Sequence, residues 1–193
     1  MRSGFLPGLF LLCVALTVSI TPASDSRVPA DAPRYDADGR LLYPDGYREW
    51  VYLSSGLGMT YTGGGEPLFT NVFVAPTAYR EFLATGKWPE KTVFVVEERS
   101  AATRGSINKG GHYQADFKGL GVEVKDGARF PDTWAYFNFG SNTKSSKANP
   151  KAACWQCHEE HAAVEHSFVQ FYPTLIPIAK RFGVYRESRA SAP

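Results

Sequence analysis

The stretch "AACWQCHEEHAAVEH", residues 152–166, decides how the rest of the chain is read. It holds two cysteines and three histidines with no glycine or proline among them. Cys-x-x-Cys-His is the attachment signature of a c-type haem. On a helix, Cys154 and Cys157 share one face and His158 lies beside them. Two thioether bonds then grip one porphyrin edge while the His158 imidazole turns onto the iron. Two other chemistries use the same residue types. A structural zinc site wants four ligands, and only His161 offers itself as a fourth. A thioredoxin-like pair opens a helix beside a βαβ pattern, whereas this pair sits inside a breaker-free run behind a series of strands. The expectation is one haem c, attached through Cys154 and Cys157, with His158 as the metal ligand.

The start of the chain sets the compartment. "MRSGFLPGLFLLCVALTVSITPASDS" (1–26) has a basic residue, a short apolar run and a small-residue stretch ending near Ala23. That order describes a secretory signal peptide over residues 1–23, and the apolar run is short for a membrane span of about 20 residues. Cys13 sits inside the apolar run behind bulky leucines, unlike a lipoprotein cysteine at its small-residue cleavage site. The mature chain is therefore expected in the periplasm. Only Cys154 and Cys157 then remain, too few for a disulfide-stapled scaffold. The formal charge of +2 includes Arg2, so the mature chain is close to neutral and has no basic stripe for nucleic acid. Aromatics make up 14% of the residues, ample bulk for a core or for enclosing a flat cofactor.

Residues 24–45 mix proline, aspartate and small residues and are expected to form a leader that orders near Leu41–Tyr43. Residues 46–185 make one domain of ordinary size, and 186–193 a disordered tail. Within the domain, 47–55, 68–75, 92–100 and 133–140 carry the β-branched and aromatic residues of strands, and 112–126 alternates as one or two strands with a bend near Gly119 and Gly121. Pro76 opens a helix in which Tyr79, Phe82 and Leu83 share a face and Gly86 closes the last turn. From Lys151 to about Ser167 no breaker occurs, which predicts a helix. The fold class is α+β: a mainly antiparallel β-sheet with one mid-chain helix and a C-terminal helix carrying the haem motif.

An iron held by His158 has one more axial position. His161 and His166 follow on the same expected helix and so lie on the side of His158. Met59, in a glycine-rich loop, and His112, at the start of a strand, are the remaining histidine and methionine candidates, and neither carries a ligand motif. A five-coordinate iron with an open side, able to bind small molecules, is the expectation.

Several blocks in fixed order resemble the cytochrome P-460 family, which includes the cytochromes c′-beta. They are "YREWV" (47–51), "NVFVAPTAYREFLATGKWPEKTV" (71–93), "GLGVEVKD" (119–126), "WAYFNFG" (134–140) and "CWQCHEEHAAVEHSFVQFYPTL" (154–175). The resemblance spans residues 41–178. It implies an exported, homodimeric, mainly antiparallel β-sheet cytochrome with one covalent haem and five-coordinate iron, unlike the four-helix bundle of ordinary cytochromes c′. In members that oxidise hydroxylamine, a lysine is cross-linked to the porphyrin. The matching position here is Val96, before Glu97, and valine has no amine to form that bond. Lys91 and Lys109 lie nearby in sequence but off the motif position. The same members place a carboxylate over the open face of the haem; Gly121 falls there, with Glu123 two residues on. Phe69, Phe73, Phe94 and Val96 are the strand residues expected near the haem, two or three of them facing it, giving an apolar pocket without a hydrogen-bond donor for bound oxygen.

The resemblance thus implies a binder of small gases such as nitric oxide or carbon monoxide. Its rivals are a hydroxylamine oxidoreductase, which needs a lysine–haem bond, and an electron carrier with Met59 or His112 as sixth ligand. A redox partner protein is one candidate partner, and the sequence does not identify it.

Overall fold

The computed structural model describes Met1, residues 29–59 and residues 65–190. The expected signal peptide lies outside the described residues apart from Met1. Five strands form an antiparallel meander: β2 (Val51–Leu57), β3 (Leu68–Val74), β4 (Val93–Ala102), β5 (Tyr113–Lys125) and β6 (Trp134–Gly140), side by side in chain order. A short β1 (Leu41–Leu42) pairs with β7 (Ser145–Ser146) in a second, two-stranded sheet. The antiparallel α+β architecture expected from the sequence is the one observed. β5 is a single strand, and the bend expected along it is met by shifts in its register against β4 around Arg99.

Strand alternation gives the meander two distinct faces. Val72, Val96, Gly121 and Asn138 stand in one row across four strands, and Val74, Phe94, Glu123 and Tyr136 in the next. The residues between them, among them Phe73, Val95 and Phe137, point to the opposite face. There the N-terminal segment closes the core: Tyr47 meets Phe73 edge-on at 5.6 Å, and Tyr43 meets Phe139 at 5.6 Å. Glu97 is buried on this side, yet it is fully answered. It accepts a hydrogen bond from the Tyr47 hydroxyl and pairs with Arg48 at 2.7 Å and Arg99 at 3.2 Å, as a buried charge must be to stay charged.

The first face carries the helices. In α1 (Pro76–Thr85), Pro76 takes the first-turn position where no amide is missed, Ala78 and Phe82 are buried one turn apart, and Gly86 closes the helix at φ 70°. Phe82 stacks on Trp88 at 4.0 Å, Trp88 meets Phe94 edge-on at 4.8 Å, and Phe94 lies under Tyr172 at 6.3 Å. This aromatic column ties α1 and the C-terminal segment to the middle of the sheet.

Three expectations change here. The helix expected over 151–167 is only α2 (Trp155–His161). Nothing in 162–168 forbids a helix, but its amides have better partners. Ala163 N–H donates to the Gln170 side chain, and Val164 and Ser167 bond each other's backbone, while Ala162, Ala163 and Val164 are buried. Tertiary packing overrides a weak helical preference. The tail expected to be disordered from residue 186 forms α4 (Glu187–Ala190), following α3 (Ile176–Arg181), and Arg186 donates to the carbonyls of Ala162 and Glu165. The leader also orders earlier than expected, since Asp31 accepts from the Thr77 amide at 2.7 Å. Among the described residues no helix is long and apolar enough to cross a membrane.

The Phe82–Trp88–Phe94 column predicts a large penalty for emptying it. Phe82→Ala should lower the unfolding free energy by about 3–5 kcal/mol, measured by urea denaturation at neutral pH.

Candidate functional site

α2 begins one residue after Cys154, which caps it from outside the helix, while Cys157 and His158 lie within it. Both thiols are free and partly exposed. The helix is moored through Trp155, whose Nε1–H donates to the Asp132 carbonyl at 3.1 Å, with the Lys151 ammonium 4.0 Å from its ring centroid. Asn149 Nδ2 lies 3.5 Å from the Cys154 sulfur.

His158 is held on three sides. Its ring lies 4.4 Å from that of Tyr136 and 4.3 Å from that of Phe168. Its Nδ1 is 2.7 Å from the main-chain carbonyl oxygen of His166. A carbonyl only accepts, so Nδ1 carries the proton and donates. In the neutral imidazole the lone pair is then on Nε2, which is the form a metal binds. Nε2 lies 3.8 Å from Glu123 Oε1, beyond hydrogen-bond reach.

His158 and Cys154 line a cavity of about 600 Å³, within the range of about 300–1,000 Å³ usual for sites of sizeable organic ligands. Its sheet wall includes Thr70, Val72, Val96, Glu98, Gly121, Glu123 and Asn138; Phe168, Phe171 and Tyr172 close it from the C-terminal side, and Met59 from the loop after β2. Gly121 leaves the wall hollow, because the nearest atom to a Cβ built there is Val96 Cβ at 3.7 Å.

Of the four residues expected near the haem, the structure brings Val96 to the cavity. Phe69 and Phe73 alternate with Thr70 and Val72, which line it, so they stand on the opposite face of the sheet; Phe73 packs there against Tyr47 and Tyr52. Phe94 is on the cavity side but is buried in the aromatic column beneath Tyr172 and is not among the lining residues. Of the histidines, His161 is half exposed at the end of α2. His166 is off the helix and buried, its Nε2 3.1 Å from Glu159, and burial pushes its pKa down to about 4. His112 is exposed next to the start of β5 and absent from the lining.

The wall is not uniformly apolar, which corrects the donor-free pocket expected from the sequence. Glu123 is buried on the same strand face as Gly121, and burial raises its carboxyl pKa, with the His158 imidazole opposing. Its Oε2 and the Tyr136 hydroxyl are buried and have no hydrogen-bond partner among the described residues. The Tyr136 phenol is pushed up by burial, with Glu123 adding to it. Tyr136 and Phe168, which flank His158, were missed by reading the motif alone. Strand alternation from Gly121 was the only signal that pointed to Glu123.

The donor set suits a porphyrin iron. Among the described residues no group of three or more His, Cys, Asp or Glu side chains is arranged to hold a metal ion. What the site offers is one free imidazole nitrogen beside two thiols, at a cavity edged by orphaned polar atoms. A metal bound here needs its other ligands from elsewhere, and a porphyrin brings four nitrogens of its own. An antiparallel meander that presents such a cavity has room and donors for a haem. The cytochrome P-460 family model matches residues 44–169, and the chain belongs to that family; its cofactor is a haem. No curated protein sequence matches the chain.

Two glycines of β5 separate structure from site. A Cβ at Gly119 would stand 2.8 Å from the Phe139 carbonyl oxygen, which is backbone. Gly119→Ala should therefore cost about 1–3 kcal/mol in a urea titration. Gly121→Leu has room beside Val96 and should leave the unfolding midpoint nearly unchanged. It should lower the haem absorbance per protein several-fold, because it fills the cavity.

Proposed function

We propose that this chain is an exported mono-haem cytochrome of the c′-beta kind. Thioether bonds to Cys154 and Cys157 hold the haem, His158 is the axial ligand, and the other axial position binds nitric oxide or carbon monoxide. The bound haem supplies an iron that takes a diatomic gas directly. The protein orients it through His158, excludes water with Val72, Val96, Phe168 and Tyr172, and keeps side-chain ligands away from the open position.

The observation that carries this reading is the place of Val96. It stands on the cavity wall between Val72 and Gly121, where the hydroxylamine-oxidising kind has its cross-linking lysine. No lysine is found among the lining residues that are described. Lys91 is paired with Asp126 at 2.5 Å, and Lys109 lies in the connector between β4 and β5. Met59 reaches the cavity, but its thioether lies over Gly56 beside Thr70. Thr70 is four strand residues from the Val74–Tyr136 row that His158 packs on, roughly 13 Å along the sheet. That separation supports an open axial position. The signal sequence supports export to the periplasm, and the family resemblance a homodimer with a redox partner protein.

One observation favours the oxidoreductase reading. Glu123 brings a buried carboxyl into the cavity, a group that suits proton transfer during hydroxylamine oxidation. The two readings part on one preparation. For the gas binder, the ferrous protein is high-spin and five-coordinate, its main absorbance band shifts on adding carbon monoxide or nitric oxide, and peptide mass analysis finds haem only on the Cys154–Cys157 peptide. Haem on a second, lysine-bearing peptide together with hydroxylamine turnover would establish the oxidoreductase instead. A low-spin ferrous protein indifferent to both gases would establish the electron carrier.

Val96→Gln tests the wall directly by placing an amide donor in the cavity. A hydrogen bond worth about 1 kcal/mol should slow oxygen release from the ferrous protein roughly 5-fold, measured by stopped flow, with nitric oxide association unchanged.

A further inference from the structure

His166 is buried beside the haem motif, and its side chain faces no ligand site. Its ring centroid lies 4.7 Å from that of Trp155 and 6.0 Å from that of Trp134. Its contribution to the site is its main-chain carbonyl, which accepts from His158 Nδ1. No substitution removes a carbonyl, so what this bond does depends on how firmly the surrounding turn is held.

The turn is held from every side. Val164 and Ser167 bond each other's backbone, and the Ser167 hydroxyl donates to the Val164 carbonyl at 2.8 Å. That hydroxyl in turn accepts from Trp88 Nε1 at 2.8 Å, which ties the turn to the aromatic column. Between them Glu165 has φ 47°, in the left-handed region. A glutamate keeps that conformation only where its surroundings impose it. Here Lys125 Nζ pairs with its carboxylate at 2.9 Å, and Arg186 Nη2 donates to its carbonyl at 2.6 Å and to that of Ala162 at 3.2 Å.

The same arrangement decides what His158 does not bond. Glu159, the carboxylate next to it in sequence, is engaged by His166 Nε2 at 3.1 Å and by Arg189 at 3.6 Å. A carboxylate acceptor on Nδ1 would make the imidazole a stronger, more anionic donor to a metal, and a neutral carbonyl does so less.

We infer that the 164–167 turn, with the His166 ring as its wedge, is a positioning element for His158: it fixes the Nδ1–H···O bond to a neutral acceptor and thereby sets the strength of the iron–imidazole bond. This rests on the reading of His158 as the axial ligand. His166 is a positioning residue, acting through its packing between Trp155 and Trp134 and never on the haem itself. Phenylalanine at 166 keeps the wedge, and alanine removes it.

The test is the iron–histidine stretching band of the ferrous holoprotein in resonance Raman spectra, read together with the nitrosyl complex. His166→Ala should lower and broaden the band and raise several-fold the fraction of nitrosyl protein that has lost its histidine ligand. His166→Phe, in which Arg189 still holds Glu159, should restore the wild-type band. Arg186→Gln, which removes one clamp from a partly exposed position, should shift the band in the direction of His166→Ala by a smaller amount, and it serves where His166→Ala fails to mature. A wild-type band in both His166→Ala and Arg186→Gln overturns the inference, as does a His166→Phe spectrum matching that of His166→Ala. A wild-type ferrous protein that is high-spin and five-coordinate but lacks the band altogether overturns the axial role of His158, and the inference with it.

Discussion

A single hydrogen bond, from His158 Nδ1 to the carbonyl of His166, organises the candidate site. It selects the imidazole tautomer, and with it the nitrogen left for a metal. It also fixes the orientation of a ring that two aromatic neighbours, Tyr136 and Phe168, already confine. Beyond the turn's own Val164–Ser167 bonds, distant parts of the chain keep that acceptor in place. Trp88 reaches the turn from the segment after α1, Lys125 from the end of β5 and Arg186 from the segment before α4. The motif supplies reactive side chains, and the fold supplies the one carbonyl that makes them a directed set.

The sheet contributes through its period of two. One face of β3, β4 and β5 lines a hollow because Val72, Val96 and Gly121 are small. The other face builds the core and hides a satisfied polar network around Glu97. The two buried glutamates make a physical contrast. Glu97 has two arginines and a tyrosine hydroxyl to answer its oxygens. Glu123 has only the His158 imidazole nearby, so burial drives it toward its protonated form. Leaving Glu123 Oε2 and the Tyr136 hydroxyl without partners costs free energy, and such a cost is expected where a fold keeps groups ready for a bound molecule.

Much of this was legible beforehand, and the misses have identifiable causes. The five strands and α1 followed from β-branched runs, Pro76 and Gly86, because each element's pattern agrees with its packing. The helix from 151 to 167 was overextended because a breaker-free sequence permits a helix without requiring one. The capture of 162–167 by Gln170, Arg186 and the aromatic column lies in contacts that local sequence does not announce. Which of the strand phenylalanines face the cavity was not legible for a related reason. Alternation shows that two residues share a face, but only the packing of Tyr47 and Tyr52 shows that this face is the far one.

The sequence alone determined that Cys154, Cys157 and His158 stand in a Cys-x-x-Cys-His motif, that Val96 carries no amine, and that the class is antiparallel α+β. These depend on residue identity and short-range periodicity, which any reading of the chain preserves. Tertiary structure alone decided which wall each strand residue serves, that Glu123 and Tyr136 enter the cavity, and that His158 bonds a carbonyl in preference to the neighbouring Glu159. Those outcomes arise from contacts between segments up to about eighty residues apart, such as Trp88 with Ser167. Long-range packing settles them because burial and hydrogen-bond satisfaction are properties of the assembled core.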